Sequence, residues 1–263
     1  MYDICYDTYD VIIIGYNGGI MRYLITFSYD GTNFNGYQRQ EGLRTIQEEM
    51  EKALKIINDG KDTVIVSSGR TDKGVHALEQ KAHVDIDVKI TTYKLMRAMN
   101  SFLPEDIHVI KTELVDNDFH ARYMVKEKEY QYKLNMGEYN PIMRNLVYQY
   151  NKKLDVMKMQ EAIKYFVGKH DFKSFTPNKD KRENYIRTIR EATIKEKDNI
   201  LTFTFKGDGF IKYQIRNMVG YLIRVGEGKK KGDDIPKILL GKDRRLASIT
   251  AHPEGLYLTN VVY

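Results

Sequence analysis

The residue best placed to do chemistry is Asp72, the only acid in a cation-rich segment that reads SSGRTDKGVHA from residue 67 to residue 77. Arg70 precedes the acid, and Lys73 and His76 follow it. Strand-like runs flank the segment, so we expect the acid on a loop between two strands. A carboxylate held among cations stays ionised and can act as a nucleophile or a general base. The triplet Asp-Lys-Gly alone is typical of an ordinary turn, and only the longer segment favours a functional role.

Two further polar side chains fall in patterns that would bury them. Arg216 lies near the apolar side of an amphipathic helical segment, where a charge needs a partner. Tyr130 shares the apolar face of an alternating strand with Tyr132 and Leu134. A tyrosine in such a strand is usually core filler, and an arginine on a helix is usually solvated. The residue patterns alone therefore leave both roles open.

The chain alternates between strand and helix patterns with turn signals between them. We expect strands at 23–29, 63–67, 80–88, 107–113, 122–135, 187–196 and 201–206 and from 256 onward. We expect helices at 45–57, 91–100, 154–166, 211–225 and 235–240. Thr45 and Glu48 fit a capping box at the first of these helices. This order predicts an α+β protein with a central, mostly antiparallel mixed sheet flanked by helices.

The pattern repeats loosely, which predicts two similar halves that share one sheet. We place the seam near Val125, with an N-terminal half at 21–125 that carries the Asp72 loop. A C-terminal half at 126–263 would complete the cleft. Residues 1–20 are expected to be an appendage, or the product of a start assigned upstream of Met21. Their apolar run at 11–15 is too short to span a membrane and has no basic residues before it, so it is not a secretory signal.

Composition narrows the class of protein. With 263 residues, 42% of them hydrophobic, the chain can bury a sizeable core. Its single cysteine, Cys5, excludes an intramolecular disulfide and a thiolate zinc site. Because the six histidines are scattered, we expect no metal and no other cofactor. A reducing cytoplasm fits this cysteine usage, and the formal charge of +6 permits a polyanionic partner.

An ordered set of short motifs resembles the TruA-type tRNA pseudouridine synthases. The resemblance covers residues 21–263. Its blocks are Tyr29-Asp30-Gly31, residues 36–40 (GYQRQ), 69–77 (GRTDKGVHA), 118–122 (DFHAR), Tyr130-Gln131-Tyr132, 170–175 (HDFKSF), Phe210 with 214–220 (QIRNMVG), and 253–258 (PEGLYL). A lone Arg-Thr-Asp would mean little, whereas so many blocks in one order are specific.

The resemblance implies particular roles for the residues that match. Asp72 corresponds to the catalytic aspartate that attacks the target uridine, either at C1′ of the sugar or at C6 of the base. Tyr130 corresponds to the tyrosine that packs on the uracil ring and helps to remove the proton at C5. Arg216 corresponds to the arginine that pairs with the aspartate. The implied substrate-contacting positions are Arg70, Gln80, Phe119, His120, Arg122, Tyr130 and Leu256.

The implied activity is that of a tRNA pseudouridine(38-40) synthase, acting on a flipped base in the anticodon stem-loop. The reaction needs no redox step, energy donor or metal, because one carboxylate can serve as the nucleophile. The resemblance also implies a cytoplasmic homodimer with tRNA as its partner. The sequence departs from the family at Tyr37, where tryptophan is frequent, and at Lys73, where a small residue is common. Lys73 would contact phosphate or tune Asp72.

Three other functions stay open on the sequence. The same chemistry could act on another RNA, such as ribosomal RNA. A catalytically silent RNA-binding or folding protein is possible in principle, although the presence of Asp72, Tyr130 and Arg216 argues against it. A nucleotide-binding flavoprotein or dehydrogenase rests only on the strand-like run that ends in Ile14-Gly15, and the glycines that follow miss the dinucleotide spacing.

Overall fold

A continuous sheet forms the centre of the computed structural model, which describes residues 19–177, 183–247 and 249–263. The strands in these ranges are β1 Met21–Tyr29, β2 Val66–Ser67, β3 His76–Ile86, β4 Ile107–Leu114, β5 Glu127–Asn135, β6 Tyr148–Gln149, β7 Gly168–Asp171, β8 Ile186–Lys197, β9 Ile200–Gly207 and β10 Leu256–Val262. The α-helices are α1 Ile46–Ile57, α2 Thr92–Phe102, α3 Val156–Ile163, α4 Gln214–Gly226 and α5 Ile235–Gly241.

The strand order across the sheet is β4-β1-β3-β10-β5-β9-β8-β7, with β2 on β3 and β6 on β5. Neighbouring strands run antiparallel except at the β3–β10 and β5–β6 junctions, which are parallel. The predicted α+β class with a mostly antiparallel mixed sheet is therefore confirmed.

The N-terminal and C-terminal parts of the sheet have the same strand arrangement. In the first part β1 lies between β3 and β4, and in the second part β5 lies between β9 and β10. In each case the first strand becomes the central one, and a helix precedes each of its two later neighbours. The parts meet where β3 and β10 pair, at Tyr257 opposite His76 and Leu258 opposite Ala77. The boundary near Val125, in the connection from β4 to β5, stays a prediction.

The alternation predicted for β5 is present. Tyr130, Tyr132 and Leu134 are buried in the core, while Gln131 and Lys133 between them are partly exposed. The predicted hairpin is also present, since β8 and β9 pair along their length around a turn. Its turn residues Asp198 and Asn199 have φ of 53° and 61°, a conformation that short polar side chains tolerate.

Several predicted boundaries were wrong, because local hydrogen bonds override the apolar pattern. The strand expected from residue 122 begins at Glu127, since the amides of Tyr123 and Met124 bond to the carbonyl of His120 and close a turn. The strand expected at 63–67 is reduced to β2, and β3 starts four residues earlier than predicted. Thr45 precedes α1 but its hydroxyl makes no capping bond, so the capping box is absent.

Candidate active site

The loop between β2 and β3 carries Asp72 and is tied to the sheet on several sides. The amide of Tyr37 donates to the carbonyl of Thr71 at 3.1 Å, and the hydroxyls of Tyr29 and Thr71 lie 2.8 Å apart. Gly36 packs so closely that a Cβ there would stand 3.0 Å from the Thr71 carbonyl oxygen, and its φ is +93°. Only glycine meets both demands, so this loop is held in one position.

The side chain of Gln80 also holds the Asp72 loop in place. Its side chain is fully buried, donates to the carbonyl of Gly69 at 3.0 Å and accepts from the Ser68 hydroxyl at 2.7 Å. The family resemblance implied a substrate contact for this residue. In the structure Gln80 contacts the loop and lines none of the cavities around Asp72 described below.

The structure brings Asp72 and Arg216 together. Nη1 of Arg216 lies 3.6 Å from Oδ2 of Asp72, and the two side chains are 13% and 19% exposed. The guanidinium has two further neighbours: its Nε donates to the carbonyl of Ala251 at 2.8 Å, and its Cζ lies 4.9 Å from the centre of the Tyr213 ring. These contacts hold Arg216 in one orientation beside the carboxylate.

Burial has the largest effect on the pKa of Asp72. Removal from water raises the pKa of the Asp72 carboxyl, while the charges of Arg216 and Lys212 lower it in part. The sequence predicted that the surrounding cations alone keep Asp72 ionised. In the structure burial opposes them and has the larger effect on its pKa. Lys73, expected from the sequence to contact phosphate or to tune Asp72, is exposed and forms no ion pair with Asp72 in the described ranges. Lys212, and not Lys73, acts with Arg216 to lower the pKa of Asp72, while a phosphate contact of Lys73 stays a prediction.

Tyr130 forms a wall of a small cavity of about 60 Å³, the inner cavity. Its ring meets Phe210 edge to face at 5.2 Å between centroids, and Leu256 and Asp72 line the same space. Burial raises the pKa of Tyr130 further above its ordinary value, so it is a neutral phenol at physiological pH. No group in the described part of the chain forms a hydrogen bond with this hydroxyl.

Two larger depressions meet the inner cavity at Asp72 and Tyr213, which line all three. The outer cavity, of about 520 Å³, lies between the Asp72 loop and the segment that contains Pro253 and Glu254. The basic groove, of about 1110 Å³, runs past the opposite side of the loop. Its basic residues are Arg39, Arg70, Lys73, Arg122, Lys128, Arg187 and Lys212, against the two acids Asp72 and Asp208.

Lys128 is a partly buried cation of this groove and was missed by the sequence analysis. Its Nζ donates to the carbonyl of Ser68 at 2.6 Å, which links β5 to the Asp72 loop. Burial, followed by the charges of Arg122 and Arg187, lowers the pKa of Lys128 to about 8. The signal in the sequence was its position two residues before Tyr130, which places both side chains on the same face of β5.

Besides Gln80, two more of the implied substrate-contacting residues lie outside the three cavities. Phe119 packs edge to face on Tyr263 at 4.9 Å. His120 stacks on Tyr123 at 4.2 Å. Neither lines a space that also contains Asp72. Arg70, Arg122 and Leu256 do line the cavities, and their contact with substrate stays a prediction.

The described part of the chain offers neither a metal site nor a membrane-spanning helix. The described residues contain no group of three or more His, Cys, Asp and Glu side chains arranged to hold a metal ion. Among the helices that the structure describes, none has the length and apolar character needed to cross a bilayer. The strand-like run at Ile14-Gly15 that suggested a dinucleotide site lies outside the described residues.

Comparison with known proteins gives a consistent match. A family model described as tRNA pseudouridine synthase matches residues 25–124 and 162–263, more than half of the chain. Proteins named tRNA pseudouridine synthase A from Limosilactobacillus reuteri and Streptococcus pyogenes are each 44% identical over 247 residues. They align with 92% and 93% of this chain and with 96% and 99% of their own lengths.

One match to a solved structure has a low TM-score. A chain in the crystal structure of a Cbf5-Nop10-Gar1 complex matches at a TM-score of 0.34 and 12% identity, covering 89% of this chain and 57% of that one. A TM-score this low supports no conclusion. The sequence matches are sufficient: the chain belongs to the tRNA pseudouridine synthase family and is an isomerase. The family resemblance seen in its motifs is thereby confirmed.

Proposed function

We propose that this protein isomerises uridine to pseudouridine in the anticodon stem-loop of tRNA, with Asp72 as the nucleophile. The observation that carries the proposal is the Asp72–Arg216 pair at 3.6 Å, placed where three cavities meet beside the Tyr130 ring. Relatives that bear the name of a tRNA enzyme support tRNA as the substrate class. A ribosomal RNA substrate and a silent RNA-binding role have no such support.

The reaction is a rearrangement that conserves every atom of the substrate. The bond between N1 and C1′ breaks, a bond between C5 and C1′ forms, the proton on C5 is lost, and N1 gains one. Attack by Asp72 at C1′ or at C6 would each give a covalent intermediate that later releases the carboxylate. Both routes require an ionised Asp72, so its contacts with Arg216 and Lys212 support either one.

Tyr130 is the residue we assign to the base. Its ring, Phe210 and Leu256 form apolar walls against which a flipped pyrimidine can stack. The hydroxyl is unpaired within the described residues and is therefore free to bond with substrate. Since burial keeps it protonated, we assign it the relay of the C5 proton: its oxygen accepts that proton while its own proton passes to solvent water, from which N1 takes the proton it gains.

The basic groove is the path we assign to the RNA backbone. It carries seven basic residues against two acids. Arg70, Arg122 and Lys128 form no ion pair with an acid among the residues that the structure describes. Phosphates would provide the missing counter-charges. We further propose that the protein acts as a homodimer in the cytoplasm, so that one tRNA contacts basic residues of both subunits.

The test is pseudouridine formation on unmodified tRNA transcripts, followed by tritium release or mass mapping. Asp72→Asn should abolish turnover and retain most of the RNA affinity. A matched control is Asp198→Asn, in the exposed β8–β9 turn, where asparagine tolerates the same backbone, and it should leave turnover unchanged. Wild-type turnover by Asp72→Asn would refute the nucleophile assignment. Modification of ribosomal RNA but not tRNA would refute the substrate assignment.

A further inference from the structure

The inner cavity is the smallest of the three spaces around Asp72. Its volume is about 60 Å³, against about 520 Å³ for the outer cavity and about 1110 Å³ for the basic groove. A base that reaches Tyr130 and Asp72 from either larger space has to pass the side chains that line the junction.

Most walls of this cavity are fixed. Val75, Tyr130 and Leu256 are buried in or beside paired strands. The Asp72 loop is tied down through Thr71 by Tyr29 and by the Tyr37 amide. Two walls remain: the exposed side chain of Arg70, and the connection from β9 to α4 at residues 208–213, which has no regular helix or strand structure. Arg70 lines the inner cavity and the basic groove but not the outer cavity.

Within residues 208–213, Tyr213 alone lines all three cavities around Asp72. Ile211 is buried, its amide bonds to the Gln214 side chain, and its carbonyl accepts from the Gln214 amide. Phe210 packs against Tyr130. Tyr213 is half-buried and lines the inner cavity, the outer cavity and the basic groove.

The backbone of Tyr213 is strained. Its φ is +61° and its ψ is 1°, in the left-handed region that aromatic residues rarely adopt. The other non-glycine residues with positive φ in the described ranges are Asp59, Asn151, Asp198, Asn199 and Lys242. Such strain persists where neighbours hold the residue in place. Here the ring lies 4.9 Å from the Arg216 guanidinium carbon and 5.3 Å from Lys212 Nζ.

We propose that Tyr213 is the gate of the nucleobase cavity. In the closed form its ring covers Arg216 and separates the inner cavity from the two larger spaces. An arriving uridine displaces the ring, and rotation of the strained backbone carries it out of the opening, so the base can stack on Tyr130. Closure over the bound base then keeps Arg216 against Asp72. This inference rests on the proposed function and adds a positioning residue to it.

The chain contains no tryptophan, so Tyr213→Trp introduces a single fluorophore at the gate. In an Asp72→Asn background, a tRNA transcript should change its emission with the same concentration dependence as RNA binding measured separately. A transcript whose anticodon stem-loop uridines are replaced, with pairing partners changed to match, should bind but leave the emission unchanged. Equal changes with both transcripts, or none with either, would overturn the gate. Tyr93→Trp on α2, which lines none of the three cavities, is the control.

Kinetics provide a second measurement that does not depend on the tryptophan variant. Tyr213→Gly removes the ring and the strain together, so its Tm should match or exceed that of wild type while kcat falls about tenfold or more. Tyr213→Phe should retain kcat. Lys242→Gly, also at positive φ, should leave kcat unchanged. Wild-type kcat in Tyr213→Gly, or a kcat loss that only parallels a lower Tm, would refute the role. Wild-type turnover in the same assay tests the proposed function separately.

Discussion

The carboxylate of Asp72 and the guanidinium of Arg216 lie 3.6 Å apart, although one belongs to the β2–β3 loop and the other to α4. The junction of β3 with β10 brings these segments together, because the chain returns to the first part of the sheet with its last strand. The Ala251 carbonyl, in the segment that leads into β10, accepts from Arg216. The site is thus assembled where the two parts of the sheet meet.

Arg216→Met should move the acid limb of the pH–rate profile to higher pH. Arg216 lowers a pKa that burial raises, so its removal lets the pKa of Asp72 rise further, and more alkaline conditions are needed to ionise the carboxyl. Arg216→Lys keeps the charge and should shift the limb less. Arg224→Met, on the same helix but paired with Glu227, is the control. An unmoved limb in Arg216→Met would show that the pair does not set the charge of Asp72.

Tyr130→Phe should lower kcat by about 100-fold or more, the range typical of a lost proton-transfer group, with little change in KM. The ring and its packing on Phe210 remain, so stacking is preserved. Tyr132→Phe on the same strand is the matched control. Its hydroxyl donates to the His252 carbonyl at 2.8 Å, so that variant should lose about 1 kcal/mol of stability and keep its kcat. Normal turnover by Tyr130→Phe would restrict Tyr130 to stacking.

RNA affinity should fall as pH rises through about 8, the value to which burial and two arginines lower the pKa of Lys128. Below this pH the ammonium is charged and attracts phosphate. Above it the free protein has lost the proton and must regain it on binding, which costs up to about tenfold in affinity per pH unit. Lys128→Arg stays charged and should bind with a flatter pH dependence. Lys206→Arg, at a lysine paired with Glu191, should behave as wild type.

Salt should weaken RNA binding steeply, because phosphate contacts release counterions. Arg122→Gln in the basic groove should reduce the slope of log K against log salt by about 1. Lys152→Gln is the control, since Lys152 is exposed and lines none of the three cavities. The measurement is a titration of tRNA transcript at several ionic strengths. A slope near zero for the wild type would exclude the groove as the backbone path.

The sequence by itself determined the fold class and the family, and it singled out Asp72 as the candidate nucleophile. Alternation along β5 and helical spacing in α4 come from short-range periodicity, and the ordered motifs belong to contiguous segments. The loop from residue 67 to 77 was recognisable because its glycines and cations are adjacent in the chain. Boundaries were missed where backbone hydrogen bonds close a turn, as before β5, since such bonds leave no periodic signal.

Only the tertiary structure decided which side chains surround Asp72. It placed Lys212 near the acid and left Lys73 exposed, and it put Gln80 under the loop. It also showed that burial, which depends on packing from both parts of the sheet, raises the pKa of Asp72 against its cations. Neither the strained Tyr213 nor the size of the inner cavity could be inferred from residue order. Both result from distant segments packing together, which local patterns do not encode.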